Sequence, residues 1–208
     1  GSGASGLSFS LNLDKDYSVN IITKKEISES NTKYAQGGIA VVQKKEDDFK
    51  YHIQDTLEAG DGLCNEKVVR MVVENGPKRI RNLIDWGVEF SLWDKDKKQF
   101  NLGKEGGHSK RRIVHYADFT GEEIENKLIN QVKKHKNIKI FENYIAVNLI
   151  IKNKRCWGAY VLDKKKGIVK TFLAKHTVLA TGGVGKVYIY TSNPDTATGD
   201  GIAIAYRA

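Results

Sequence analysis

The hydrophobic positions of this chain fall into blocks of different period. Leu7, Phe9, Leu11 and Leu13 alternate with polar residues, a period of two that on its own describes a strand. Val19-Asn20-Ile21-Ile22-Thr23 is a second strand-like run. From Asp48 to Ala59 the period lengthens: Phe49, His52, Ile53, Thr56 and Leu57 share one helical face, His52 reading as a satisfied, partly buried histidine, and Gly60 supplies the stop. Asn65 caps a next helix whose Val68, Val69, Val72 and Val73 form the stripe to be buried, and Pro77 opens a third through Ile80, Leu83 and Ile84 to Gly87. Thr120-Gly121-Glu122-Glu123 reads as a capping box ahead of Ile124, Leu128 and Val132. Ile138–Phe141 reads as a strand. The runs Ala146–Ile151, Cys156–Leu162 and Ile168–Ala174, separated by basic turns, predict an antiparallel meander inserted into an α/β unit. Thr177–Ala180 has the composition of a buried parallel strand, and the small-residue run from Ile202 predicts a helix after a glycine turn.

Between these blocks lie glycine-bearing turns with candidate chemistry. Gly1-Ser2-Gly3-Ala4-Ser5-Gly6 spells GxGxxG, the turn that lets a pyrophosphate approach a helix N-terminus. The strand that normally precedes it is absent, and Thr23 and Lys24 stand where an acid usually binds ribose. In Ser30-Asn31-Thr32-Lys33-Tyr34-Ala35-Gln36-Gly37-Gly38 the glycines permit close backbone approach and the polar side chains offer short hydrogen bonds; the alternative is a plain turn before an apolar strand Ile39–Val42. Leu102 to Arg112 gathers Glu105, His108, Lys110, Arg111 and Arg112 around Gly106-Gly107, either an anion-recognition loop in which Glu105 meets a cationic or hydroxyl group, or an exposed hairpin tip. Thr181-Gly182-Gly183 ends the last apolar strand. Asp200, between Gly199 and Gly201, is either an acceptor for a polyol or an N-cap.

The 208 residues are enough for one large domain or two small ones, and 40% hydrophobic with 28% charged residues excludes a disordered chain. The formal charge of +9 invites nucleic acid or a membrane surface as partner. Only seven of the 34 basic residues are Arg, however, and the lysines are scattered, with short runs at Lys44-Lys45, Lys97-Lys98 and Lys164–Lys166, as on a solvated surface. No nucleic-acid or membrane partner is therefore expected. Cys64 and Cys156 have neither metal-ligand nor disulfide spacing, so no metal is expected and a reducing, cytoplasmic compartment fits. The first residue is not Met and the last helix is still running at Ala208, so both ends are expected to be cuts.

Together GSGASG, SNTKYAQGGIA, KEGGHSKRR, LATGG and NPDTATGDGIAIAYRA stand in the order found in the succinate dehydrogenase and fumarate reductase flavoprotein family, and the chain resembles most its aspartate-oxidising branch. The resemblance spans essentially all residues and implies a Rossmann-like FAD-binding domain over 1–208. A parallel sheet and the inserted meander are expected, with the first strand and the substrate-capping domain absent. It implies non-covalent FAD, because Asn31 stands where many relatives carry a His joined to the flavin. Gly1 to Gly6 would lie at the pyrophosphate, Lys24 near the adenosine, and Asn31, Thr32, Lys33, Tyr34, Ala35, Gln36, Gly37 and Gly38 along phosphates and flavin. Ile145 and Ala146 would contact the adenine side, Thr181 and Gly182 the cofactor, and Asp200 the ribityl chain. Glu105 would orient the ammonium of L-aspartate, whose oxidation to iminoaspartate with oxygen or fumarate as acceptor opens NAD biosynthesis, with quinolinate synthase as a candidate partner. The catalytic Arg is expected beyond Ala208, leaving these residues alone inactive. A succinate or fumarate flavoprotein and a non-redox nucleotide-binding domain remain as alternatives.

Overall fold

A computed structural model of the chain describes residues 1–93 and 96–208, with backbone alone at 96–98; the expected solvation of Lys97 and Lys98 lies outside the described residues. In chain order the elements are helix α1 (Ala4–Leu11), strands β1 (Val19–Thr23) and β2 (Ile39–Ala40), helices α2 (Phe49–Ala59) and α3 (Glu66–Asp85), and strands β3 (Leu92–Trp93), β4 (Asp96–Phe100) and β5 (Ile113–Val114). Helix α4 (Thr120–Lys134), strands β6 (Ile138–Glu142), β7 (Tyr144–Lys152), β8 (Arg155–Asp163) and β9 (Ile168–Leu173), and helix α5 (Asp200–Arg207) follow. They fall into two compact units, one of Gly1–Tyr34 with Leu128–Ala208, the other of Ala35–Lys127.

In the first unit β1 and β6 pair in parallel, from Val19 opposite Ile138 to Thr23 opposite Glu142. Leu7, Ile21, Leu128, Val132 and Val161 are among its most deeply buried side chains. The alternating run after Gly6 is a helix and not a strand. Ser8 and Ser10 donate their hydroxyls to the carbonyls of Ala4 and Gly6 one turn back, so polar positions are satisfied inside a helix that buries Leu7 and Ser10 and leaves Phe9 exposed. The meander is present: β7, β8 and β9 run antiparallel in that order. Its first turn uses Asn153 and Lys154, both at positive φ, which matches the twist of a tight hairpin. Asp163, the last residue of β8, is buried and accepts from Tyr144 Oη at 2.7 Å and Lys170 Nζ at 2.9 Å; these bonds hold its carboxyl well below the usual range. Thr177–Ala180 is not a strand. It makes no ladder among the described residues, and Val178 and Leu179 are exposed.

In the second unit α2 packs along α3. Asp48 caps α2, accepting from Lys50 N–H at 2.9 Å, and Asn65 caps α3. The two helices expected on either side of Pro77 are one: α3 is continuous through it. Proline removes one N–H from the ladder, and Gly76 ahead of it has no Cβ for the ring to crowd. Gly76 also lets α3 lie close to Val41, whose Cγ2 would stand 2.9 Å from an added Cβ. Of the expected valine stripe Val73 is buried, whereas Val68 and Val72 are exposed; the buried line runs from Val73 to Ile80. Strands β2 and β5 pair antiparallel, Ile39 opposite Val114 and Ala40 opposite Ile113. Helix α4 starts at Thr120 without the expected capping box: Thr120 Oγ1 accepts from Tyr116 N–H and donates to the Gln36 carbonyl, and Glu123 accepts from Glu89 N–H. No described helix is long and apolar enough to cross a membrane.

Candidate functional site

The first unit gathers five turns from distant parts of the chain. The Gly1 nitrogen donates to the Ile22 carbonyl at 2.8 Å, and Ser2 Oγ lies 3.0 Å from Thr23 Oγ1, both buried, which fixes the GxGxxG turn to the end of β1. Gly3 caps α1 with no side chain to offer, and Ala4 N–H donates to Thr32 Oγ1 at 3.0 Å. A Cβ on Gly3 would stand 3.2 Å from Thr32 Oγ1 and 3.4 Å from Ser30 Oγ, so glycine is what lets the Ser30–Tyr34 turn lie against the helix start. Ser5 and Gly6 follow in the first turn of α1, and Gly6 is pressed against the Gly1 carbonyl.

The remaining turns close on the same region. Thr181 packs against Gly201, and Gly199 N–H donates to the Gly183 carbonyl at 3.2 Å. Gly182, at φ +72°, and Gly183 have no atom within 4 Å of an added Cβ. Lys24 Nζ donates to the Thr196 carbonyl at 2.5 Å, to Thr198 Oγ1 at 2.7 Å and to Asp200 Oδ2 at 2.7 Å. Burial pushes the Asp200 carboxyl up, and the bonds from Lys24 and Thr198 outweigh it and hold the group below its usual range. Lys24 and Asp200, expected at different parts of one cofactor, thus carry their charges as a pair. Asp200 is the first residue of α5, and Gly199, at φ +76°, is the cap. Asn31 is exposed, its carbonyl accepting from Tyr34 N–H; Tyr34 Oη donates to Glu29, and Lys33 stands over the Tyr34 ring. Ile145 and Ala146 lie in β7 opposite Leu162 and Val161, in the strand that touches β1 and α5.

Ala35, Gln36, Gly37 and Gly38, expected beside Asn31–Tyr34, belong to the second unit, where the carbonyls of Ala35 and Gln36 accept from Gly121 N–H and Thr120 Oγ1. Gly37 borders a cleft of about 510 Å³ lined by Gln36, Gly37, Gly103, Lys104, Glu105, Ile113, His115, Ala117 and Asp118. Glu105 Oε1 would stand 2.5 Å from a Cβ on Gly37, so its carboxylate lies directly on that backbone. Among the described residues the Glu105 carboxylate makes no hydrogen bond or ion pair. The imidazole of His115 shares the wall, at the register position opposite Gly38.

The charge-rich loop is only partly what its composition suggests. Arg112 is fully buried, with Nε and Nη2 on Asp47 at 2.9 and 2.8 Å and Nη1 on Asp55 at 2.5 Å, so it holds the fold and meets no anion from outside. His52 is not satisfied: it is buried, its ring meets His108 edge-on at 5.6 Å, and Nδ1 has no hydrogen-bond partner. Asp47, Asp55 and His115 escaped the sequence reading. For Asp55 a signal existed, since it follows His52 by three positions and shares its helical face.

The first-unit turns fit a dinucleotide: a helix start without a side-chain cap, glycines pressed against backbone on one side, and open glycine faces at Gly182 and Gly183 on the other. The FAD binding domain family matches residues 1–208. The chain is 48% identical to L-aspartate oxidase 1 of Ralstonia nicotianae and 47% identical to L-aspartate oxidase of Acinetobacter baylyi, over all of this chain and 40% and 39% of theirs. It spans between 32% and 41% of the length of these and similar curated relatives. Among solved structures it is similar to quinol fumarate reductase FrdA of E. coli, with TM-score 0.92 and 29% identity over all of this chain and 36% of that one. It is equally similar to Sdh1 of Mycobacterium smegmatis, with TM-score 0.92 and 27% identity over 100% and 37%.

Proposed function

Because the chain belongs to the FAD binding domain family, in the fold of succinate dehydrogenase and fumarate reductase flavoproteins, we propose that the protein oxidises L-aspartate to iminoaspartate, with oxygen or fumarate as final acceptor. Bound FAD supplies the two-electron acceptor. Gly1 to Gly6, Lys24, Asn31 to Tyr34, Ile145, Ala146, Thr181, Gly182 and Asp200 of the first unit hold it, with the start of α1 toward its phosphates. Asn31 offers a carboxamide, which forms no covalent link to a flavin, so the cofactor is non-covalent. Denaturing the flavin-loaded protein releases all yellow colour into the filtrate; colour retained on the polypeptide contradicts this.

The observation that carries the substrate assignment is the Glu105 carboxylate, laid on the Gly37 backbone in a cleft and paired with no cation of its own. It takes the substrate ammonium, and succinate, which lacks that group, leaves it without a partner. In the native-length protein, Glu105→Gln raises KM for L-aspartate roughly ten- to hundredfold, the worth of a hydrogen bond to a charged group, and leaves flavin content unchanged. Turnover of succinate equal to that of aspartate defeats this reading in favour of a succinate or fumarate enzyme. The same reading puts the protein in the cytoplasm, in keeping with its two free cysteines, at the opening step of NAD biosynthesis. There quinolinate synthase, which consumes the unstable imine, is its partner.

A further inference from the structure

The loop that presents Glu105 has almost no packing of its own. Residues 104–107 are exposed, no atom lies within 4 Å of an added Cβ on Gly106, and Gly107 has φ +78°. So bare a segment keeps a side chain in place only if both of its ends are gripped. One end is held by backbone: Gly103 and Ile113 exchange N–H···O bonds of 2.9 and 3.1 Å. The other is held from α2, where one carboxylate oxygen is the hydrogen-bond anchor beside the edge-on contact of His108 with His52. Asp55 Oδ2 accepts from Ser109 N–H and Ser109 Oγ, each at 2.8 Å, and from Arg112 Nη1 at 2.5 Å. Arg112, locked in turn to Asp47, fixes where that oxygen sits.

We propose that Asp55 is a positioning residue for Glu105, pinning the loop through Ser109 and Arg112 so that the Glu105 carboxylate stays on Gly37 in the cleft. This rests on the reading of Glu105 as the group that takes the substrate ammonium. Asp55 does not line the cleft. It therefore acts on substrate only through the loop, and its effect must vanish when Glu105 is disabled.

The test is a double-mutant cycle on the native-length, FAD-loaded protein. Asp55→Asn keeps an acceptor but removes the charge opposite Arg112; because it strains a buried pair, Ser109→Ala serves as the gentler second variant. Expected is a rise in KM for L-aspartate of roughly three- to tenfold for Ser109→Ala, the worth of one hydrogen bond. The rise is larger for Asp55→Asn, and kcat and flavin content are unchanged. Added to Glu105→Gln, neither variant raises KM further. An equal rise with and without Glu105 overturns the proposal, as does an Asp55→Asn protein with the parental KM. A second readout does not depend on Glu105: Lys104, Lys110 and Arg111 are exposed trypsin sites within the loop, and both variants should be cut there several-fold faster while the rest of the chain stays intact. If Glu105→Gln leaves KM unchanged, the substrate reading has failed, and the cutting rate alone decides: faster cutting supports the pin, an unchanged rate overturns it.

Discussion

His52 is a buried imidazole whose surroundings favour its neutral form. Burial lowers its pKa first, and the positive charge of Arg112 and the neighbouring His108 lower it further, against a smaller pull upward from Asp47 and Asp55. The folded value therefore lies below the ordinary value near ~6.5, so on acidification the unfolded chain takes up a proton first. Stability is fully present above about pH 6.5 and falls as the pH drops through that value. Urea unfolding of this chain at pH 7 and pH 5 should show the loss, and His52→Gln should reduce it; equal losses in both proteins contradict the argument. Asp55 behaves in the same direction at lower pH. Burial raises its carboxyl, the bonds from Ser109 and Arg112 overcome that and depress it, and its contribution is lost as the pH falls below about 4. Neither effect was legible in the sequence. His52 shows there only as one polar member of an apolar face, and that Arg112 would be its neighbour is set by the 59 residues of intervening chain.

At the scale of elements, legibility followed locality. Asp48 and Asn65 each cap the helix they precede, and the meander's strands lie within two residues of their expected bounds, because caps, tight turns and period-two runs act over a few residues. What was misread depends on neighbours from elsewhere. The run after Gly6 is a helix packed through Leu7 and Ser10, with Ser8 and Ser10 satisfied by the carbonyls of Ala4 and Gly6 one turn back, and the apolar run at Thr177–Ala180 makes no ladder among the described residues. Helix α3 gives a direct check, since four valines look equivalent in sequence and only Val73 is counted in the core. Val73→Ala should cost about 1–3 kcal/mol, whereas Val72→Ala, at 60% exposure, should stay within about 0.5 kcal/mol. Equal costs would place the helix in the wrong rotation.

For the whole molecule, the glycine-bearing turns were visible as separate motifs, and three of them come together in the first unit: Gly1–Gly6, Thr181–Gly183 and Thr198–Gly201 are joined by named contacts, along with the end of β1 and Ser30–Tyr34, whereas Gly37-Gly38 and Gly106-Gly107 belong to the second unit. The pairing of Lys24 with Asp200 was not visible, because 176 positions separate them. The trio of Asp47, Asp55 and Arg112 has a bearing on how such a chain can diverge. Removing one member of a buried ion group strands the others at about 3–5 kcal/mol, a large part of what a domain has to spare. Replacement of any one of the three alone is therefore closed to a drifting lineage unless the other positions have already changed. Three codons far apart in the reading frame must be inherited as a set, or exchanged together for apolar residues of matching bulk.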